Sequence, residues 1–346
     1  MSSSQAKTQE HLPADRFRER LLAWYDAHAR DLPWRKDRDP YRVWVSEIML
    51  QQTRVAAVIE HYHEFLKRFP TVQKLAAARE ASVLSVWSGL GYYRRATMLH
   101  AAAKVIAHER TGTFPGTAEE WRTLPGIGRY TSAAISSIAS EEPVAVVDGN
   151  VERVLQRLLG RRLRGEEFWA SAESLLDRNR PGDFNQAMME LGATVCTPRV
   201  PACLTCPVVE LCATRGELAS ADRVKKQNKR EIDYALHRRD GEVFLVRRPR
   251  DARLMAGMWE LPEIELPISA EKEIPRSARN HKPNRGTRKP LFSVRHSITV
   301  TDYTVRIWEC APTHTGSGEW ISGRKLSKMP LTGLARKVLR KARVLG

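Results

Sequence analysis

Along residues 15–215 apolar positions recur at helical spacing, broken by short Gly/Pro turns, as in "PYRVWVSEIMLQQTRVAAVIEHYHEFLKRF" and "ASVLSVWSGLGYYRRATMLHAAAKVIAHE". Apolar residues every three or four positions give a helix one face to bury, so this stretch is expected to be all-helical. Residues 1–14 ahead of it are polar, carry both signs of charge and are expected to be disordered. After residue 215 the pattern changes. The segment 216–232, beginning "GELASADRVKKQNKRE", is basic and poor in large apolar residues, which suits a linker. Beyond it "DYALHRRDGEVFLVRRP" places an Asp-Gly turn between short apolar runs, a hairpin signal, and "HSITVTDYTVRIWEC" has the β-branched residues of a strand. The expected fold is mainly α, followed by an α/β domain over 233–346. Within that domain the proline-rich, charged stretch 262–290 reads as a loop.

With 346 residues and 42% hydrophobic content, the chain is long enough to bury the cores of two domains. Lys and Arg number 57 against 40 Asp and Glu, a formal charge of +17. Such an excess favours polyanions, because each neutralised phosphate releases condensed counterions; nucleic acid is the leading partner. The first residues hold no apolar core of signal-peptide length, and no run approaches the roughly 18 apolar residues of a membrane span. The expectation is an intracellular protein without a membrane partner.

Four of the five cysteines, Cys196, Cys203, Cys206 and Cys212, are separated by six, two and five residues. Four thiolates in one short loop suit an iron-sulfur cluster, and tetrahedral zinc would accept the same ligands. Cys310, in a strand-like run, is expected in the core. The stretch "LPGIGRYTSAAISSIA" has the form of a helix-hairpin-helix, in which Gly126 and Gly128 permit a tight turn and the next helix offers N-terminal amides to a phosphate. Alone, that signal also fits ordinary helix packing. Two carboxylates draw notice. Asp148, in "PVAVVDGNVERVL", sits at a helix start and taken alone is best read as a plain N-cap. Glu47, in "VWVSEIMLQQT", lies among Val45, Ile48, Met49 and Leu50, where a carboxylate is costly unless exposed, paired or used. Desolvation would raise its pKa, as a general acid requires, but a water-facing position remains open.

The ordered set "LPWR", "SEIMLQQT", "GLGYYRR", "LPGIGRYTSA", "VDGNVERV", "FNQAMMELGATVC" and the four spaced cysteines resembles the helix-hairpin-helix DNA glycosylases with a 4Fe-4S cluster, and most closely their adenine-removing MutY family. The resemblance covers nearly all of 15–215. It implies a six-helix domain and a cluster domain with double-stranded DNA bound across them, a 4Fe-4S cluster rather than zinc, and a monomer. The implied substrate is adenine opposite 8-oxoguanine or guanine. By the same resemblance Glu47 protonates adenine N7, Asp148 stabilises the charge developing on deoxyribose, and Tyr130 and Asn150 hydrogen-bond around them. Relatives that also nick DNA carry lysine at the position of Tyr130, and a phenol cannot form their Schiff base. Gln51 and Tyr92 match residues that intercalate beside the orphaned base, and Arg30, Trp34 and Glu190 match positions lining the adenine pocket. The carboxyl-terminal region resembles a Nudix-like lesion-reading domain, with His296, Ser297 and Thr299 as candidate contacts. It lacks the clustered glutamates that would hold Mg²⁺ for phosphate-ester hydrolysis. The rival readings are a thymine or uracil mismatch glycosylase of the same superfamily and a non-catalytic iron-sulfur DNA-binding protein.

Overall fold

The computed structural model describes residues 12–216, 218, 228–249, 251–252, 255–264, 289–298, 301–310, 318–326 and 329–345. The segment expected to be disordered, up to residue 11, the stretch 265–288 of the expected loop, and Thr299 lie outside the described residues. The chain divides into two units. The described residues up to Ala78 and from Arg95 to Leu218 form the first; Arg79–Arg94, with the described residues from Asn228 onward, form the second.

Helices make up the first unit, as the periodicity predicts: α1 (Ala14–His28), α2 (Pro40–Leu50), α3 (Val55–Arg68) and α4 (Val72–Ala76) precede the excursion into the second unit. That excursion carries α5 (Glu80–Val86). The chain returns through α6 (Arg94–Lys104) to α7 (Ala118–Arg122), α8 (Arg129–Ser140), α9 (Gly149–Leu159), α10 (Glu166–Leu175) and α11 (Pro181–Thr194). Their starts follow local chemistry. Asp39 caps α2, accepting from the Arg42 amide at 3.0 Å, and Pro40 supplies the first-turn proline. At the far end of α9, Gly160 takes the left-handed conformation (φ 65°) that closes a helix.

One core joins α1, α9, α10 and α11 through Phe17, Leu21, Val151, Leu155, Phe168, Phe184 and Leu191. The other packing that matters for the site is α2 and α7 against α8. Gly126 makes the hairpin turn before α8. Its φ is +77°, and a Cβ there would fall 2.5 Å from Met98 Cβ, so the position requires glycine. Gly128 differs from the expectation: its backbone is extended and a Cβ would meet nothing within 4 Å, so the turn does not depend on it.

In the second unit the Asp-Gly hairpin forms as expected. Arg238–Arg239 (β2, after β1, Asn228–Ala235) pairs antiparallel with Glu242–Arg247 (β3) across Asp240 and Gly241, both at positive φ. Then follow β4 (Trp259–Glu260), β5 (Phe292–Ile298), β6 (Thr301–Trp308) and β7 (Gly318–Ser322). β1 begins inside the expected linker, and "HSITVTDYTVRIWEC" divides between two antiparallel strands, Ile298 pairing with Thr301. β-branched residues favour extended backbone but do not say where it reverses, and no Gly or Pro marks this turn. β6 lies between β5 and a parallel β1, while β3 lies among β2, β4 and β7. Helices α12 (Gly323–Leu326) and α13 (Gly333–Lys341) complete the unit, whose core is built from Leu236, Leu245, Val305, Ile307 and Val338. Cys310 falls just past β6 and is only half-buried, so it is not the core residue expected.

The segment Arg79–Arg94 belongs to this unit although it reads as part of the helical run. Tyr93 donates to the Leu331 carbonyl at 3.1 Å, and Arg336 donates to Ser88 Oγ at 2.6 Å. Among the described residues no helix is long and apolar enough to cross a membrane.

At Gly182, in the first turn of α11, a Cβ would lie 2.5 Å from the Ser137 carbonyl oxygen and 2.9 Å from Ile138 Cα. Backbone cannot yield as a side chain can. Gly182→Ala is expected to cost about 1–3 kcal/mol of unfolding free energy, read as a lower urea midpoint.

Candidate active site

A cavity of about 380 Å³ opens in the first unit, lined among others by Arg30, Trp34, Glu47, Tyr130, Asp148 and Glu190. Its size is that of a small-molecule site. Glu47 reaches it from the third turn of α2 and is only 6% exposed, which removes the water-facing reading. Burial pushes its carboxyl up to about 7; the Tyr130 hydroxyl opposes that rise, the Asp148 charge adds to it and Arg35 lowers it. Tyr130, at the start of α8, donates to Glu47 Oε2 at 2.9 Å and lies 3.6 Å from Met189 Sδ. Burial and the two neighbouring carboxylates hold its phenol protonated, well above the usual tyrosine value.

Asp148 is the N-cap of α9, and it also faces the cavity. Its Oδ1 accepts from the amides of Asn150 and Val151, each at 2.8 Å, and Oδ2 accepts from Asn150 Nδ2 at 2.8 Å. Capping and lining are therefore one arrangement, since three donors fix the carboxylate where it meets the cavity. Asn150 Oδ1 in turn accepts from Arg153 Nη2 at 2.9 Å, and the same guanidinium donates to the carbonyls of Gly192 (2.6 Å) and Cys196 (2.7 Å).

Glu190 is 1% exposed and sits between two arginines. Arg30 donates to it through Nε (2.5 Å) and Nη2 (2.7 Å), and Arg35 through Nη2 (2.9 Å). These partners outweigh burial and hold its carboxyl below the usual range. Trp34, buried beside them, packs edge-to-face on Tyr62 at 5.5 Å. Gln51 follows α2, lines the same cavity and donates to Thr131 Oγ1 at 3.0 Å. Tyr92 belongs to the second unit, 46% exposed and at φ 46°. There too, His296 is half-buried with its pKa lowered by burial and by the Lys337 charge, and Ser297 donates to Asp302 at 2.5 Å.

None of the four clustered cysteines is in a disulfide. Cys206 is pushed up to about 11 by burial and by the nearby Cys196, Cys212 and Cys203, so the loop brings the set together. No three described His, Cys, Asp or Glu side chains converge as ligands of one ion. Three of the sulfurs instead have N–H neighbours: Arg157 Nη1 donates to Cys196 Sγ at 3.3 Å, the Arg215 amide to Cys212 Sγ at 3.5 Å, and the Val208 backbone to Cys206. Arg157 also grips the Thr197 and Pro198 carbonyls at 2.7 and 3.0 Å. Sulfurs gathered in one loop and accepting such bonds suit a cluster with several irons, each taking one cysteine.

Sequence reasoning missed Arg35, Asn185 and Gly192. Asn185 donates to the Val144 carbonyl at 2.9 Å and accepts from the Val146 amide at 3.1 Å, which holds the segment leading to Asp148. A Cβ on Gly192 would fall 2.6 Å from Asn150 Cβ, so glycine is what lets α11 approach α9. A glycine inside a helical pattern is a usable signal, because it is unfavourable there without a packing reason.

The "HhH-GPD superfamily base excision DNA repair protein" model matches residues 45–168, and a NUDIX domain model matches 234–341. The Mus musculus adenine DNA glycosylase is 40% identical over 320 residues, covering 74% of this chain and 62% of that protein. The Homo sapiens adenine DNA glycosylase is 50% identical over 214 residues, 58% of this chain and 39% of that one. For that of Schizosaccharomyces pombe the identity is 34% over 325 residues, 74% of this chain and 70% of that one. The chain thus spans well under two thirds of the human and a little under two thirds of the mouse protein. Among solved structures, a thermostable thymine-DNA glycosylase superposes with a TM-score of 0.55 at 29% identity, covering 58% of this chain and 96% of that one. A trapped endonuclease III–DNA intermediate gives 0.52 at 22% identity, 59% and 98%, and shows the shared fold of the helical part.

Removing the charge of Glu190 would leave two guanidinium groups facing each other. Glu190→Gln is expected to destabilise the first unit by about 3 kcal/mol, the low end for a broken buried pair because Arg30 is 39% exposed, as read by denaturant unfolding.

Proposed function

Because the chain belongs to the adenine DNA glycosylase family, we propose that it removes adenine paired with 8-oxoguanine or guanine from double-stranded DNA and leaves the strand uncut. One observation carries the reading: a carboxyl group raised to about 7 and a second, triply hydrogen-bonded carboxylate line one cavity, with a phenol donating to the first of them.

Adenine must leave the stack to reach this cavity, at a cost of a few kcal/mol. Glu47 in its acid form gives a proton to adenine N7, so the base departs neutral as the C1′–N9 bond breaks. Asp148 faces the positive charge left on the deoxyribose, dividing the work as paired carboxylates do at glycosidic bonds. Water then adds its hydroxyl to C1′ and its proton returns Glu47 to the acid form. Tyr130 and Asn150 orient the two carboxylates. Tyr130 offers no amine for a sugar imine, which makes the enzyme monofunctional. Arg30, Trp34, Arg35 and Glu190 shape the base pocket, while Gln51 and Tyr92 fill the opened duplex. Cys196, Cys203, Cys206 and Cys212 would hold a 4Fe-4S cluster, which when bound ties the two ends of the loop around Arg199 for DNA contact. The second unit would read the oxidised base, with His296, Ser297 and Thr299 as candidates.

The decisive assay is single-turnover release from duplexes with adenine, thymine or uracil opposite 8-oxoguanine or guanine, scored with and without alkali. Adenine release that becomes a nick only after alkali is expected; thymine or uracil release would transfer the chain to the mismatch glycosylases and remove the N7 role of Glu47.

Protonated Glu47 is the active form, so the alkaline limb of the excision profile should fall as pH rises through about 7. The Tyr130 hydroxyl lowers that value, so its loss must raise it. In Tyr130→Phe the alkaline limb is expected to move to higher pH whatever happens to the maximal rate; a shift the other way assigns the limb to another group.

A further inference from the structure

The turn after α2 is held from outside. The last carbonyls of a helix have no partner within it, and here those of Ile48 and Met49 both accept from Arg95 Nη1, at 2.7 and 3.0 Å. The same nitrogen reaches the Gln51 carbonyl at 2.6 Å, and Nη2 donates to Thr53 Oγ1 at 3.1 Å. One planar guanidinium therefore takes four points on the stretch from Ile48 to Thr53, and places a cation where the helix dipole favours it. The turn needs such a hold. Gln52 lies at φ 55°, a conformation that costs a residue with a side chain on the order of 1–3 kcal/mol and persists only when its surroundings fix it.

What the hold fixes is Gln51, whose side chain lines the cavity and bonds to Thr131 at the start of α8. We infer that Arg95 is a positioning residue that keeps the Gln51–Gln52 turn in shape as a ready wedge, so that opening the base pair does not also have to order the turn. This rests on the base-excision reading above. A group already ordered before binding loses less entropy on insertion, so the benefit falls on separating the pair and not on breaking the C1′–N9 bond.

The test compares wild type with Arg95→Gln and Arg95→Lys by two readouts. The first is hydrogen exchange of the amides of residues 51–54. The second is single-turnover excision of adenine paired with 8-oxoguanine, against the same adenine opposite an abasic site, where no pair has to be opened. Both variants are expected to exchange faster over 51–54 and to slow on the paired duplex by roughly tenfold more than on the unpaired one. Lysine cannot reproduce the fork, so it should not rescue. Equal slowing on both duplexes, or unchanged exchange, overturns the inference. If Arg95→Gln does not fold, Arg95→Lys, which keeps the charge, carries both measurements. Should wild type release no adenine from either duplex, the base-excision reading fails, and exchange alone still decides whether Arg95 holds the turn.

Discussion

Burying Glu47 on the face of α2 that meets α8 takes a carboxyl group out of water, and the rest of the first unit is arranged around that cost. The hydroxyl of Tyr130 is the group that meets it. For the phenol to stand there, α8 must start at a fixed point, which the left-handed turn at Gly126 supplies. Asp148 must then be near enough to raise Glu47 further yet too firmly held to take its proton partner away. A carboxyl group poised between its two protonation states thus results from depth of burial, one hydrogen bond and two neighbouring charges of opposite effect, Asp148 and Arg35, with no single contact setting it.

The second carboxylate follows the opposite design. Asp148 gains its place from helix capping, a backbone device that would operate in any protein, and the site uses the face left over. Behind it Asn150, Arg153 and the close pass at Gly192 form a continuous support reaching the Cys196 carbonyl. Glu190, by contrast, is saturated by Arg30 and Arg35, so what it offers the cavity is the orientation of two guanidinium groups more than an acceptor of its own.

Much of this was legible along the chain where the signal is local. Cysteine spacing, the Gly126 turn, the Asp240-Gly241 hairpin and a glutamate among Val45, Ile48 and Met49 each violate or satisfy a short-range rule. What was hidden depends on approach between distant segments. Arg35, Arg95 and Asn185 look like ordinary polar residues of helices, and only the fold reveals which carbonyls and carboxylates they reach. Helical periodicity likewise states that Arg79–Arg94 packs, not what it packs with, and β-branched residues do not mark where β5 gives way to β6.

The grouping of Arg79–Arg94 with the carboxyl-terminal part makes each unit discontinuous in the chain. A cut between residues 216 and 228 would therefore separate two pieces of polypeptide without separating two domains. The amino-terminal fragment would retain a helical insert deprived of its anchors, with Tyr93 no longer bonded to Leu331 nor Ser88 to Arg336. Any defect of such a fragment would mix the loss of the second unit's own contribution with a damaged insert, so a modular view of the two halves, each portable on its own, does not apply to this architecture.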